Sequence, residues 1–395
     1  SMARKVLTLN QISVKGLERL PRDAYEIASE FSNPDAILLR SHQLKAVEIA
    51  DSVLAIGRAG AGVNNIPVAE CSRRGIPVFN SPGANANAVK ELVATAMLLG
   101  SRGIMEGIRY VDTLAGLTDK AEMNRVLEAQ KKRFKGNELV GKTLGVVGLG
   151  AIGSMVAEMA LTMGMEVVGY DPALSVEAAW RLSSKVRKAD TLSTLFARSD
   201  YITLHLPVLD STRGLVNAEL LGAMKADACL LNFARQEIVN EDDLVRALDS
   251  RKLRKYIADF PSPALIGRDN VILMPHIGAS TDEAEDNCAI MVADQLRDFL
   301  ENGNIRNSVN FPTLELERVR GCRLSVSNEN VPRILGGLLA ILADQNINVI
   351  DMLNKSRGEL AYNLIDIDTH ISDGILDSMR ALDGVINVRL IGDCA

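Results

Sequence analysis

The chain has 395 residues, 47% of them hydrophobic but only 4% aromatic, and a formal net charge of −6. That length predicts two or three domains, and an aliphatic core poor in aromatics is the usual composition of parallel sheets covered by helices. The negative balance excludes a general attraction to nucleic acid or to an anionic membrane. No apolar run approaches the roughly 18 residues of a membrane span, and the N-terminus lacks a signal-peptide layout, so a soluble, cytoplasmic protein is expected. Cys71, Cys229, Cys288, Cys322 and Cys394 are scattered and form no C-x-x-C pair, which predicts reduced thiols and no metal site.

Along the first hundred residues, "KVLTL", "AILLR", "VLAIG" and "IPVFN" read as strands separated by helices, which predicts a parallel sheet. The pattern restarts at 142 with "TLGVVG", "EVVGY", "YITLHLP", "ACLLNFA", "YIADF" and "NVILMP", a second and larger doubly wound unit. Ser280 and Glu283 stand at capping-box spacing before a long helical pattern that closes near Gly303 and returns toward the first unit. Residues 304–320 are polar, contain Pro312 and read as a linker. The remaining 75 or so residues give strand, helix, strand, a turn at Gly358, strand, helix and strand, the βαββαβ order of a ferredoxin-like module. The expected domains are 2–97 with 283–312, then 98–282, then 318–395.

"TLGVVGLGAIGSMVAEMA" sets Gly148, Gly150 and Gly153 as G-x-G-x-x-G between a strand and a helix. The first glycine permits a tight turn, the second lets the backbone approach a pyrophosphate, and the third allows close helix–strand packing. Asp171 ends the next strand, where a carboxylate accepts hydrogen bonds from an adenosine ribose. It would repel a 2′-phosphate, so NAD is favoured over NADP.

Ligands of open α/β sheets bind outside the carboxyl ends of the strands. In the second unit those ends carry Asp171, His205, Arg235, Asp259 and His276. His205, among apolar neighbours in "ITLHLP", reads as a packing or supporting histidine more than as an acid–base group. In the first unit the corresponding polar residues are Arg58, Asn85 and Asn87, with Gly60, Gly62 and Gly83 offering close backbone approach. Two such crevices imply a small anionic substrate.

These motifs together resemble the D-isomer-specific 2-hydroxyacid dehydrogenases, over nearly the whole chain. The landmarks are "GRAGAGVNNI" (57–66), "SPGANANAVKELV" (81–93), "GKTLGVVGLGAIG" (141–153), "GYDP" (169–172), "LNFARQEIV" (231–239) and "PHIGAST" (275–281). The resemblance implies two Rossmann-like units followed by an ACT-type ferredoxin-like domain. It implies hydride transfer between a substrate C2 and NAD, with His276 as general acid or base and Arg235 holding the carboxylate and polarising the C2 oxygen. Arg58 is the expected phosphate ligand, and Ala59, Gly60, Asn85 and Asn87 complete substrate binding. Arg73 and Arg74 are lesser candidates for the same role. The implied cofactor contacts are Gly148, Gly150, Ala151, Ile152, Gly153, Asp171, His205, Pro207, Ala234, Asp259 and Gly278, with Asp259 on the nicotinamide carboxamide.

The activity implied is NAD-linked oxidation of D-3-phosphoglycerate to 3-phosphohydroxypyruvate, which opens L-serine biosynthesis. The alternatives are the same chemistry on another D-2-hydroxyacid, such as D-glycerate or 2-hydroxyglutarate, and a catalytically weak NAD-binding amino-acid sensor. A homodimer or homotetramer is expected, with Asn330 and Asn348 at the positions where an amino-acid effector such as L-serine would bind. Nucleic acid and membrane are not expected partners.

The chain also departs from the family pattern. The acidic stretch ending in Glu-Pro, whose glutamate pairs with the catalytic histidine, is replaced by "ADFPSPALIGRD" (258–269). Ser262, a backbone carbonyl, a water or a distant carboxylate would then have to orient His276, since the helix start points Asp282 and Glu283 away. Gln236 stands where a glycine commonly follows the catalytic arginine, and Asn64 where aspartate is frequent. Asn328 replaces a ligand-binding histidine of some relatives, and Arg333 replaces the glycine after the module's proline. Arg333 puts bulk where a backbone would approach an effector, which favours a module that oligomerises the chain.

Overall fold

The computed structural model describes residues 2–392, which divide into two compact units, 2–84 with 282–392, and 85–281. The chain therefore crosses between units at Asn85, earlier than the expected 98, and again at Asp282.

The first unit is built on a five-stranded parallel sheet in the order β2-β1-β3-β4-β5, comprising β1 (Arg4–Leu9), β2 (Tyr25–Ala28), β3 (Ala36–Leu39), β4 (Ala55–Arg58) and β5 (Val78–Phe79). The four apolar runs read from the sequence are β1, β3, β4 and β5. The short edge strand β2, "YEIA", lacks an uninterrupted apolar run and was not among them.

The second unit carries a seven-stranded parallel sheet, β12-β11-β10-β9-β6-β7-β8. Its strands are β6 (Thr143–Val147), β7 (Glu166–Tyr170), β8 (Val186–Lys188), β9 (Tyr201–Leu204), β10 (Cys229–Asn232), β11 (Lys255–Ala258) and β12 (Val271–Leu273). Alternate residues feed opposite cores: Val147, Leu230 and Ala258 enter one, Val146, Leu231 and Ile257 the other. This two-sided burial is why the central strands are continuous apolar runs. The outer strand β8, "VRK", carries charge and escaped the sequence reading for that reason.

The helix Asp282–Asn302 returns to the first unit and packs Ala289, Val292, Leu296 and Phe299 into its core beside Val6, Leu38 and Phe79. Ser280 lies in the turn before it, its N–H bonded to the Ile277 carbonyl at 3.0 Å. The helix closes at Gly303, whose φ of 74° takes the chain out of the helical path.

Residues 304–320 correct the linker expectation. Ile305 and Leu314 exchange backbone hydrogen bonds at 2.9 Å, and Ile305, Phe311 and Leu314 are fully buried. Their apolar side chains outweigh the polar character of the segment, and Ser308 and Asn310 satisfy its turns by bonding to each other and to Val78.

The C-terminal sheet is antiparallel in the order β14-β15-β13-β16, from β13 (Cys322–Glu329), β14 (Val349–Arg357), β15 (Leu360–Ile367) and β16 (Val385–Ile391), with helices Ile334–Asp344 and Asp373–Arg380. It is the expected βαββαβ arrangement. Its central strand is buried on both faces: Ile365 and Ile367 pack under the two helices, whereas Leu360, Tyr362 and Leu364 share a core with Val6, Phe79 and Phe299. Cys71, Cys229 and Cys288 are free and buried, as the reduced-thiol expectation has it. Cys322 is disulfide-bonded, which corrects that expectation there, and Cys394 lies outside the described residues. No helix among the described residues is long and apolar enough to cross a membrane.

Candidate active site

The turn after β6 carries the glycine pattern. Gly148 has φ 93°, and a Cβ there would stand 2.3 Å from the His205 carbonyl oxygen. A Cβ on Gly153 would stand 1.9 Å from the Gly148 carbonyl, so both positions exclude any side chain. Gly150 caps the helix Ala151–Thr162 and has open space where its Cβ would be. Backbone N–H groups at a helix N-terminus facing open space form a cradle suited to a pyrophosphate.

Asp171, just past β7, accepts from the Leu149 N–H at 2.8 Å and from the Ala173 N–H at 3.0 Å. One carboxylate thus ties the glycine turn to the following loop, and its remaining lone pairs suit two ribose hydroxyls. His205 packs behind the same turn. Its Nε2 shares a hydrogen bond with the Thr203 hydroxyl at 2.8 Å, its Nδ1 is buried and unpartnered among the described residues, and burial pushes its pKa down to about 3. A histidine in that state is neutral at physiological pH, so it can pack and donate or accept but cannot serve as the proton carrier. Its orphan nitrogen and the glycine cradle fit a polar dinucleotide. Pro207 closes the adjacent loop, its carbonyl accepting from the Thr212 hydroxyl at 2.6 Å.

Arg235 follows β10 in an extended conformation and is exposed. The turn that presents it is shaped by Asn232, whose side chain accepts from the Ala234 N–H at 3.2 Å and donates to the Arg235 carbonyl at 3.0 Å. Asn232 is fully buried and was passed over in the sequence, where it reads as the end of an apolar strand. Gln236 opens a short 3-10 turn to Ile238, so the position after the arginine is not required to be glycine here.

His276 follows β12 and is exposed, with its ring 5.3 Å from that of Phe260 and inclined at 54°. No carboxylate among the described residues bonds to its ring. Ser262, one of the expected substitutes for the missing family glutamate, is buried and donates its hydroxyl to Glu241 at the start of helix Glu241–Asp249. Asp259 is 2% exposed and accepts from the N–H groups of Ile277 and Gly278. Asp282 and Glu283 sit in the first turn of the following helix.

Asn85 and Asn87 lie at the start of the helix Ala86–Ser101, which belongs to the second compact unit. Asn85 precedes the first helical residue, and Asn87 Nδ2 donates to Glu91 at 3.0 Å.

In the first unit, Arg58 ends β4 and its Nη1 donates to Asn65 at 2.7 Å and to Asn64 at 3.4 Å. Asn65 is buried and also donates to the Arg40 and His42 carbonyls at 2.8 and 2.9 Å, which fixes the guanidinium against the loop after β3. Asn64 fills the aspartate position as a neutral acceptor for the same guanidinium. Ala59 N–H bonds to Leu39 O at 2.9 Å, and Gly60 N–H reaches the Ser81 hydroxyl at 2.8 Å. Arg73 pairs with Glu70, and Arg74 donates to the Ile49 and Ala50 carbonyls, so both have structural occupations.

In the C-terminal module, Asn330 Nδ2 donates to Gly358 O at 3.0 Å, and Asn348 Nδ2 reaches Asp368 at 3.5 Å. Arg333 has φ 77°, so the backbone keeps a conformation that favours glycine while carrying arginine. Asn328 is buried, and its side-chain Oδ1 accepts from Asn363 Nδ2 at 2.7 Å.

Comparison with known proteins agrees with this geometry. The family model of the D-isomer-specific 2-hydroxyacid dehydrogenase NAD-binding domain matches residues 102–278. A D-3-phosphoglycerate dehydrogenase of Haemophilus influenzae is 32% identical over 384 residues, covering 93% of this chain and 89% of its own. The enzyme of the same name from Escherichia coli K12 is 33% identical over 359 residues, covering 87% of this chain and 83% of its own. A crystal structure of NAD+-bound 3-phosphoglycerate dehydrogenase from Entamoeba histolytica superposes with a TM-score of 0.61 at 27% identity, over 79% of this chain and all of that one. With a glycine cradle and ribose acid of the right spacing, and relatives similar over most of its length, the chain belongs to the D-isomer-specific 2-hydroxyacid dehydrogenases and uses NAD.

Proposed function

We propose that the protein oxidises D-3-phosphoglycerate to 3-phosphohydroxypyruvate with NAD, the first step of L-serine biosynthesis. The observation that carries this reading is the similarity to D-3-phosphoglycerate dehydrogenases across 93% of the chain. NAD, when bound, accepts the hydride from the substrate C2. Gly148, Gly150, Ala151, Ile152 and Gly153 cradle its pyrophosphate, and Asp171 holds the adenosine ribose, with Pro207, Ala234 and Gly278 lining its path.

His276 takes the C2 hydroxyl proton as the carbonyl forms and returns it in reduction. Its exposure suits a group that must reach both substrate and solvent. Arg235 grips the carboxylate with its planar fork and stabilises charge developing on the C2 oxygen. Arg58, braced by Asn64 and Asn65, serves the phosphate, with Ala59, Gly60, Asn85 and Asn87 around the remaining substrate atoms.

The same reading makes the protein a soluble cytoplasmic homo-oligomer. The helix Ile104–Asp112 buries none of its residues, and it leaves Ile108 and Val111 each 55% exposed, an apolar stripe suited to a second copy. The C-terminal module is an ACT-type domain that supports assembly, with Asn330 and Asn348 at its effector positions.

The test is NADH oxidation with 3-phosphohydroxypyruvate, hydroxypyruvate and 2-oxoglutarate as alternative acceptors. Strong preference for the phosphorylated acid, and a loss of about 10³-fold in kcat in His276→Ala with NADH binding retained, are expected. Turnover on none of the three despite NADH binding would favour the sensor alternative.

A further inference from the structure

His276 has φ 57°, in the left-handed region that an ordinary side chain avoids. A residue in that conformation turns the N–H groups that follow it toward one side, making a concavity for an anion. In this chain the anion is internal. Asp259 Oδ1 accepts from Ile277 N–H at 2.8 Å, and Asp259 Oδ2 accepts from Gly278 N–H at 2.7 Å. With Asp259 2% exposed, these two charge-assisted bonds offset the desolvation of the carboxylate.

The network continues toward the arginine. The Asp259 N–H donates to the Asn232 carbonyl at 3.2 Å, joining the ends of β10 and β11. Asn232 in turn holds the Ala234 N–H and the Arg235 carbonyl, and it donates to the buried Tyr256 hydroxyl at 3.3 Å. One continuous run of hydrogen bonds therefore links the backbone at Arg235, through Asn232 and Asp259, to the backbone immediately after His276.

We propose that Asn232 and Asp259 are positioning residues for the reaction. Asp259 locks the left-handed turn that aims His276, Asn232 locks the turn that presents Arg235, and their mutual bond keeps the two turns in register. This rests on the reading that Arg235 and His276 perform the chemistry. It assigns Asp259 a duty to the protein's own backbone beside the cofactor contact that the family resemblance implies, since each carboxylate oxygen keeps a further lone pair. Gly278 fits the assignment, since a Cβ there would stand 3.0 Å from Asp259 Oδ2.

Emptying or half-filling the concavity releases the strain at His276, and the imidazole leaves its productive direction. Displacements of about 1 Å cost on the order of 10²-fold in rate. In Asp259→Asn the amide keeps one acceptor and turns an NH₂ toward the other N–H. The expectation is a kcat lower by about 10²-fold, a smaller change in the dissociation constant for NADH than in kcat, and faster amide hydrogen exchange in the 276–281 segment. Asn232→Asp keeps the acceptor for Ala234 but loses the donor to Arg235. There the KM for the hydroxy acid rises more than kcat falls.

Weakened NADH binding with unchanged exchange at 276–281 in Asp259→Asn would overturn the proposal and leave Asp259 a cofactor ligand alone. An unchanged kcat would overturn it as well. If Asp259→Asn does not fold, Gly278→Ala presses a methyl against the intact carboxylate. The same loss of kcat and faster exchange are then expected, and unaltered exchange sinks the idea. Absence of turnover in the unmodified enzyme would instead sink the proposed reaction, and the exchange comparison would still decide whether Asp259 holds the turn.

Discussion

His205 and His276 both follow apolar strands of the second unit, and their surroundings separate them. His276 is exposed, whereas His205 has a buried Nδ1 and a pKa pushed down to about 3 by burial. Unfolding returns His205 to about 6.5, so the unfolded chain binds a proton that the folded one refuses. Its contribution to stability is present above about pH 6.5 and is lost as pH falls toward 3. The melting temperature of His205→Asn should therefore decline less steeply than that of the unmodified protein between about pH 6.5 and 4. Parallel curves in a thermal titration would show that the folded protein tolerates a protonated imidazole there. The proposed roles of Arg235 and His276 were legible because strand ends followed by polar residues mark ligand sites. Those of Asn232 and Asn65 were not, because a buried asparagine declares its bonds only when its neighbours are folded around it.

At the scale of elements, the end of the helix Asp282–Asn302 shows how the C-terminal sheet is held. A helix leaves its last carbonyls without partners. Arg389 donates to the Phe299 and Leu300 carbonyls, Arg318 to Glu301, Arg323 to Asn302, and the Tyr362 hydroxyl to Gly303. Cations at this end also meet the negative pole of the helix. Arg323 is fully buried and pairs with Asp366 at 2.7 and 3.0 Å. Arg323→Met leaves a buried carboxylate without its partner and should cost about 3–5 kcal/mol in chemical denaturation. Arg323→Met with Asp366→Leu should recover much of that loss, and equal destabilisation by the single and double variants would mean that the pair itself is not what matters. The helix was readable from its periodicity and its closing glycine. The side chains that finish it come from strands β13, β15 and β16 and from Arg318, all remote from it in the linear pattern.

At the scale of the whole molecule, the proposed assembly predicts that Ile108→Glu lowers the oligomer mass in sedimentation without changing NADH affinity. An unchanged mass would move the interface elsewhere. By itself the sequence determined the two parallel units, the βαββαβ module, the dinucleotide turn and the identity of the main polar residues, because those follow from local periodicity and from glycine's steric freedom. Only the tertiary structure decided that Ile305, Phe311 and Leu314 of the 304–320 segment enter the core, that Asn85 opens the second unit, and that Asp259 grips the turn after His276. Each of these depends on which surfaces and N–H groups meet across long sequence separations, and hydrophobic pattern carries no record of a hydrogen bond between distant strand ends.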